Sequence, residues 1–350
     1  MGGIMRYLFP LNPYNQQRQF EKPVWVYPAH LAMYATYLRN QGNSVYWDWE
    51  EDFVNGAGDK IILTDDQINV SFEKLPYPDR IFTDAKNPRW QSYGNYRWHP
   101  ATHMMSSNLC WYSKCTFCID TKKLEDGEKR GIRTVDHVME EIDDLIKHGY
   151  REVFDDSGTF PIGKWLNEFC VKMMVNNRKG KIKIGCNMRV GEAPWEMMAG
   201  AGFRFVLVGI ESANQITLDK IKKSTKAEET IKDMKRASES GINIHATFMT
   251  GYPWETEKDE RRTIELCHYL LRKGYIKTAQ ASVYSPPRTS PNPTSIGHKY
   301  LPKFYDVYKS PEFILRKFSD IKCWEDFTYL LRGARLVTEE KCRKLLHKAS

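Results

Sequence analysis

Residues 106–120, SSNLCWYSKCTFCID, place Cys110, Cys115 and Cys118 within nine positions, while the other five cysteines of the chain are scattered singly. Three thiolates this closely spaced in a loop form a donor set for a soft metal, either zinc or an iron–sulfur cluster. A structural zinc site takes a fourth protein ligand. The nearest imidazoles, His99 and His103, precede the loop, and no second Cys-x-x-Cys pair exists. A cubane cluster held by three cysteines keeps one iron open for a further ligand. On the motif alone, zinc, an iron–sulfur cluster and unliganded thiols all remain open.

Downstream of the cysteines, amphipathic helical stretches alternate with short apolar strands, the pattern of a parallel βα architecture. In residues 134–150, Val135, Val138, Ile142, Leu145 and Ile146 share one helical face, with Thr134 as the expected cap and Gly149 as the stop. Strands are expected at EVFDD (152–156), KIKIGCNMR (181–189), FRFVLVGIES (203–212), NIHATFMTG (243–251) and TAQASVYSPP (278–287), with helices between them. If ATHMMSSN (101–108) is the first strand, the count is about six βα units, fewer than the eight of a closed barrel.

The first hundred residues differ. IMRYLFPLNP (4–13) suggests a strand, PAHLAMYATYLRNQG (28–42) a helix and NSVYWDW (43–49) a second strand, one βαβ unit. KIILTDDQINVSF (60–72) suggests a hairpin turning at Asp65 and Asp66. The expected organisation is a truncated Rossmann-like piece over 1–73, a linker over 74–100, a barrel over 101–288, then a Pro-rich loop and helical region over 289–350.

Composition narrows the class. Hydrophobic content of 41% and charged content of 27% exclude wholesale disorder. A net charge of +8 tilts slightly toward an anionic partner, yet no nucleic-acid-binding motif accompanies it. The basic residues Lys220, Lys222, Lys223 and Lys226 are expected on solvated helix faces, as are those between 341 and 348. The amino terminus meets Pro10 and Asn12 too early for a signal-peptide core, and no apolar run suits a membrane helix, so a cytoplasmic protein is expected. In a reducing compartment, clustered cysteines suggest metal or catalysis.

The residues resemble the radical S-adenosylmethionine (radical SAM) superfamily. Its usual spacing is Cys-x-x-x-Cys-x-x-Cys with an aromatic before the last cysteine. Phe117 stands in that aromatic place, whereas the first gap holds four residues, Trp111 to Lys114. The resemblance runs from about Ser106 to Pro287 with each element in order. It implies an α/β fold: a partial (β/α)6 TIM-like radical SAM barrel with a truncated N-terminal Rossmann-like βαβ piece and a helical C-terminal extension. It implies a [4Fe-4S] cluster on Cys110, Cys115 and Cys118, whose open iron binds S-adenosylmethionine.

Cofactor contacts are implied at the strand ends: Asp155, Asp156 and Ser157 in DDSGT, Asn187 and Arg189 in NMR, Glu211 and Ser212 in LVGIES, and Gly251 and Pro253 in MTGYPWET. Each has a plainer reading, as a helix cap, an ion pair or a turn residue. Their common register with the cysteines is what favours the family reading. An electron donor such as flavodoxin or ferredoxin and an unidentified small-molecule, nucleotide or peptide substrate are implied as partners.

KLPYPDR (74–80), GIES and GYPWET also resemble the cobalamin-binding subgroup, many of whose members methylate unreactive carbons. A corrin-binding domain needs on the order of 120 residues for its five-stranded sheet. The chain has too little room before Cys110, and no Asp-x-His-x-x-Gly lower-ligand motif occurs. The expectation is therefore hydrogen abstraction without cobalamin. A cobalamin-dependent methyltransferase and a non-catalytic zinc-loop binding protein are the alternatives.

Among the remaining residues, Cys170, Cys186, Cys267 and His245 are expected in the core, Cys186 with a lesser chance of facing the substrate. Cys323 and Cys342 lack the clustering of an auxiliary cluster. Tyr284, Arg288 and the loop over 286–302 suggest either a lid or a connector.

Overall fold

The computed structural model describes residues 6–11, 27–49, 61–62, 70–92, 95–285, 295–332 and 335. The chain opens with β1 (Arg6–Leu11), α1 (Ala29–Asn40), β2 (Ser44–Trp49) and β3 (Ile61–Ile62). Then come β4 (Ala101–Met104), α2 (Ile119–Glu125), α3 (Val135–Lys147), β5 (Glu152–Asp155), α4 (Lys164–Met174) and α5 (Arg178–Lys181). Next are β6 (Lys183–Arg189), α6 (Trp195–Gly200), β7 (Phe203–Glu211), α7 (Gln215–Lys220), α8 (Thr230–Glu239) and β8 (Asn243–Thr250). The series ends with α9 (Glu257–Lys273), β9 (Thr278–Val283), α10 (Ser295–Tyr300) and α11 (Pro311–Ser319).

Strands β4 to β9 follow chain order across one six-stranded sheet, and the pairs β6–β7, β7–β8 and β8–β9 are parallel. Consecutive strands separated by helices, with β4 and β9 left as edges, make a partial (β/α)6 barrel, as the resemblance implied. Among the described residues no helix is long and apolar enough to cross a membrane.

Contacts divide the chain into two compact units: Met1–Met105 with Asp144–Val153 and Ile321–Ser350, and Ser106–Asp143 with Phe154–Asp320. In the first unit, β1 pairs in parallel with both β2 and β3. Ile61–Ile62 therefore adds a third parallel strand where a hairpin arm was expected, and the hairpin's turn at Asp65 and Asp66 lies outside the described residues. Helix α1 buries Met33, Tyr34, Ala35 and Leu38 against Phe72 and Leu75. Trp90 and Tyr96, in the stretch expected as a linker, are also buried.

The helices and strands expected after the cysteines form, though β9 stops at Val283 where the strand was expected to run to 287. Thr134 Oγ1 accepts from the His137 amide at 3.3 Å at the start of α3. Thr256 and Asp259 form a reciprocal capping box on α9, which ends at Gly274 with φ +75°. Phe160, Trp165, Phe169 and Phe203 pack edge-on and stacked into one aromatic core. Cys170, Cys186 and Cys267 are buried free thiols, Cys323 is exposed, and Cys342 and Arg288 lie outside the described residues.

Two histidines are packed in these units, His103 buried and His245 half-buried. Tyr96 Oη bonds His103 Nδ1 in the first unit, and Thr278 Oγ1 lies 2.8 Å from His245 Nδ1 in the second. Burial, helped by the Arg80 charge, holds His103 down to about 3, and burial holds His245 at about 4. Both are below the ordinary 6.5, so the unfolded chain takes up protons that the folded chain refuses. Each therefore subtracts about 1.4 kcal/mol per pH unit as pH falls below roughly 6.5. Urea unfolding from pH 7 to pH 4.5 should show a midpoint that falls steadily, with a shallower slope in His245→Asn. Equal slopes in both proteins would refute the assignment for His245.

Candidate metal centre

The cysteine loop leaves β4, runs over residues 105–118 and enters α2 directly after Cys118. Cys110 and Cys115 are buried, and Cys118 is half-buried. Cys115 lies close enough to Cys110 and Cys118 for each neighbour's charge to act on it or be acted on by it. Among the described residues, no three His, Cys, Asp or Glu side chains already converge at metal-ligand distances.

The loop is pinned at several points. The Cys110 amide donates to Asp120 Oδ2 at 2.8 Å, and Cys110 Sγ reaches Thr159 Oγ1 at 3.1 Å. The Thr116 amide donates to the Ile221 carbonyl at 3.1 Å. Behind the loop runs the turn after β5. Its Gly158 has no room for a Cβ, which would collide with Asp120 Oδ2 and stand 3.1 Å from Cys110 Cβ. The glycine in DDSGT is there for close approach.

The three polar residues of that turn divide. Asp155 is fully buried and turned into the protein: it accepts from Ser106 Oγ at 2.5 Å and from the Ser157 amide at 3.0 Å. Ser157 Oγ in turn accepts from the Ser106 and Ser107 amides. These two fasten the start of the cysteine loop to the sheet. Asp156 is exposed to solvent, and partial desolvation by the surrounding protein, with the charges of Asp155 and Asp120, pushes its carboxyl up to about 7. Burial likewise raises Asp155 to about 6.

At the end of β6, the Asn187 amide group donates to the Ser157 carbonyl at 2.8 Å. Arg189 is buried, donates to the Lys223 carbonyl, and stacks its guanidinium 3.6 Å from the Tyr112 ring centroid. Its Nε has no partner.

At the end of β7 the register with β8 slips between Gly209 and Glu211, and Glu211 takes φ +64°. This bulge turns the Glu211 carboxylate back along the strand, where Lys223 Nζ meets it at 2.8 Å. A Cβ on Gly209 would strike both groups, so that glycine leaves the space they fill. Both partners are buried. Burial pulls the Lys223 ammonium down, but the Glu211 and Cys115 charges outweigh it and leave the group above its ordinary value. Lys223 and Arg189 conversely draw Cys115 down against the rise that burial causes.

Phe117 packs with Leu218, Ile221, Met249 and Tyr252, and Trp254 and Tyr284 extend this apolar wall. The last two residues implied as contacts, in the turn after β8, sit differently: the Gly251 amide donates to Glu260 Oε1 at 2.6 Å, and Pro253 is exposed. Ser212 is buried and donates to Glu255 Oε1 at 2.9 Å.

The structure thus gathers Phe117, Asp156, Arg189 and Glu211 around the cysteine loop. It uses Asp155, Ser157 and Ser212 for protein–protein hydrogen bonds. Lys223 corrects the expectation of a solvated face: Lys222 and Ser224 both take φ +53°, and the kink turns Lys223 inward. Two consecutive lysines followed by serine carry no sign of such left-handed backbone, so only Glu211 hinted at a cation. Replacing Lys223 with Met should leave Glu211 buried and unpaired and cost about 3–5 kcal/mol. Lys223→Met combined with Glu211→Gln should recover part of that loss in urea unfolding. A single-variant loss under about 1 kcal/mol would contradict a buried pair.

The three thiols, the cation pair and the partnerless Arg189 Nε fit an anionic iron–sulfur centre carrying a carboxylate-bearing ligand. Comparison with known proteins agrees. The chain is 29% identical over 176 residues to a provisionally assigned methylthiotransferase of Methanocaldococcus jannaschii, covering 47% of this chain and 37% of that one. It is 26% identical over 217 residues to an anaerobic magnesium-protoporphyrin IX monomethyl ester cyclase of Cereibacter sphaeroides, covering 58% and 34%. The match thus spans about a third of the length of these relatives. Among solved structures it resembles the radical S-adenosylmethionine methyltransferase TsrM of Kitasatospora setae. That likeness has 18% identity and a TM-score of 0.45, over 53% of this chain and 36% of that one. Residues 104–267 match the Radical SAM superfamily, so this stretch of the chain is similar to a family of enzymes that implies a [4Fe-4S] cluster and S-adenosylmethionine.

Proposed function

We propose that Cys110, Cys115 and Cys118 ligate the [4Fe-4S] cluster, and that the enzyme abstracts hydrogen from a substrate carbon without cobalamin. The observation that carries this reading is the pair of buried cations beside Cys115, Arg189 from the end of β6 and Lys223 from the turn after α7. When bound, the cluster and S-adenosylmethionine supply one-electron cleavage of a sulfonium C–S bond, which yields methionine and a 5′-deoxyadenosyl radical.

The chain's own residues do the rest. Lys223 and Arg189 offset the negative charge of the thiolates and of a bound carboxylate. Arg189 Nε has a free donor for that carboxylate. Asp156, with its carboxyl near neutrality, suits an amine partner whose charge would draw it into the ionised form. Phe117 and the Tyr252–Trp254–Tyr284 wall give an apolar side to the site and exclude water from it. The electron donor fits the flavodoxin or ferredoxin class, and the setting is the cytoplasm.

A second reading, methyl transfer through cobalamin, gains support from β3, which makes the N-terminal sheet one parallel strand larger than the sequence suggests. Anaerobic incubation with S-adenosylmethionine and dithionite separates the two. The proposed route gives 5′-deoxyadenosine and methionine without S-adenosylhomocysteine, and Cys115→Ala falls to background. S-adenosylhomocysteine together with corrin retained after gel filtration would establish the second reading. Neither product from a cluster-loaded protein would refute both.

A further inference from the structure

The gap between Cys110 and Cys115 holds four residues, and one of them is bound on three sides. Tyr112 Oη lies 2.7 Å from the Lys222 carbonyl, to which it donates, and 2.6 Å from Ser224 Oγ. Its ring carries the Arg189 guanidinium at 3.6 Å from the centroid, close for a cation over an aromatic face. Trp111 meets the same ring edge-on at 5.9 Å.

The opposite wall is the strained segment 222–224. Lys222 and Ser224 adopt left-handed backbone that non-glycine residues hold only when surrounding contacts enforce it. Between them the Lys223 carbonyl accepts from Arg189, and the Lys223 side chain turns in to Glu211. Tyr112 and Arg189 therefore take two successive carbonyls of this segment while stacked on each other. The Ser113 backbone, also left-handed at φ +39°, completes the turn that brings the chain back toward Cys115.

We propose that Tyr112 is a positioning residue that locks the long cysteine gap onto the 222–224 segment and seats Arg189 beside the metal centre. This rests on the reading of Cys110, Cys115 and Cys118 as cluster ligands. Its phenol hydroxyl fixes the loop, and its ring fixes the guanidinium. The two parts are separable: Tyr112→Phe removes the hydroxyl contacts and keeps the ring, and Tyr112→Ala removes both.

The test has two arms. In metal-free protein, iodoacetamide labelling of Cys115 is mapped by mass spectrometry with exposed Cys323 as the internal reference. Tyr112→Phe should label Cys115 about three- to tenfold faster than the parent, the factor expected for a lost hydrogen-bonded anchor. In anaerobically loaded protein, S-adenosylmethionine affinity is read from the change it causes in the reduced cluster's electron paramagnetic resonance spectrum. Tyr112→Phe should keep the parent's iron content and nearly its affinity. Tyr112→Ala should weaken binding about tenfold further, because Arg189 loses its seat.

Parent-like Cys115 labelling in Tyr112→Phe, or parent-like affinity in Tyr112→Ala, would overturn the proposal. Failure of the parent itself to load iron would refute the ligand reading instead, a result the labelling arm keeps separate. Should Tyr112→Ala not fold, the labelling rate of Tyr112→Phe decides alone.

Discussion

A 2.8 Å contact between two buried groups, the Lys223 ammonium and the Glu211 carboxylate, organises the site around it. Removing either charge leaves the other in low dielectric, so the pair persists only with its geometry intact. That geometry is supplied from several places. Gly209 vacates the space, the bulge before Glu211 reverses its side chain, and the left-handed residues 222 and 224 turn the lysine inward. The same turn offers carbonyls to Arg189 and Tyr112, which ties the cysteine loop to the sheet's carboxyl edge.

A second constraint acts from the other side of the loop. Asp155 and Ser157 use their polar atoms on Ser106 and Ser107, and Gly158 lets the β5 turn lie against Cys110. The cysteine segment is thus held between two rigid turns, one after β5 and one after α7. Anchoring of this kind fixes the loop that carries the thiols and sets two cations beside Cys115.

Much of this was legible in the sequence. The 3.6-residue period of 134–150 and the alternating apolar runs at 181–189 and 203–212 gave the barrel order, because helix and strand faces must match the core they bury. The cysteine spacing marked a candidate metal centre for a similar reason, since ligands to one ion must be close in space. Two features were hidden. Lys223 sat in a run of lysines whose average fate is solvent, and only backbone conformation sends it inward. Ile61–Ile62 paired with a strand some fifty residues earlier, and a two-residue strand has no periodicity to reveal its partner. Asp155 showed the opposite effect. Its position suggested a cofactor contact, and in the structure its oxygens accept from Ser106 and Ser157, which satisfies a buried carboxylate locally.

The central claim is that Cys110, Cys115 and Cys118 together hold an iron–sulfur cluster. Metal and sulfide analysis of anaerobically purified protein, alongside its visible spectrum, tests this most directly. The account predicts a brown protein absorbing near 400 nm with iron and sulfide in equal amounts, lost in each single cysteine-to-alanine variant. A colourless protein carrying zinc, or undiminished iron in Cys115→Ala, would contradict it.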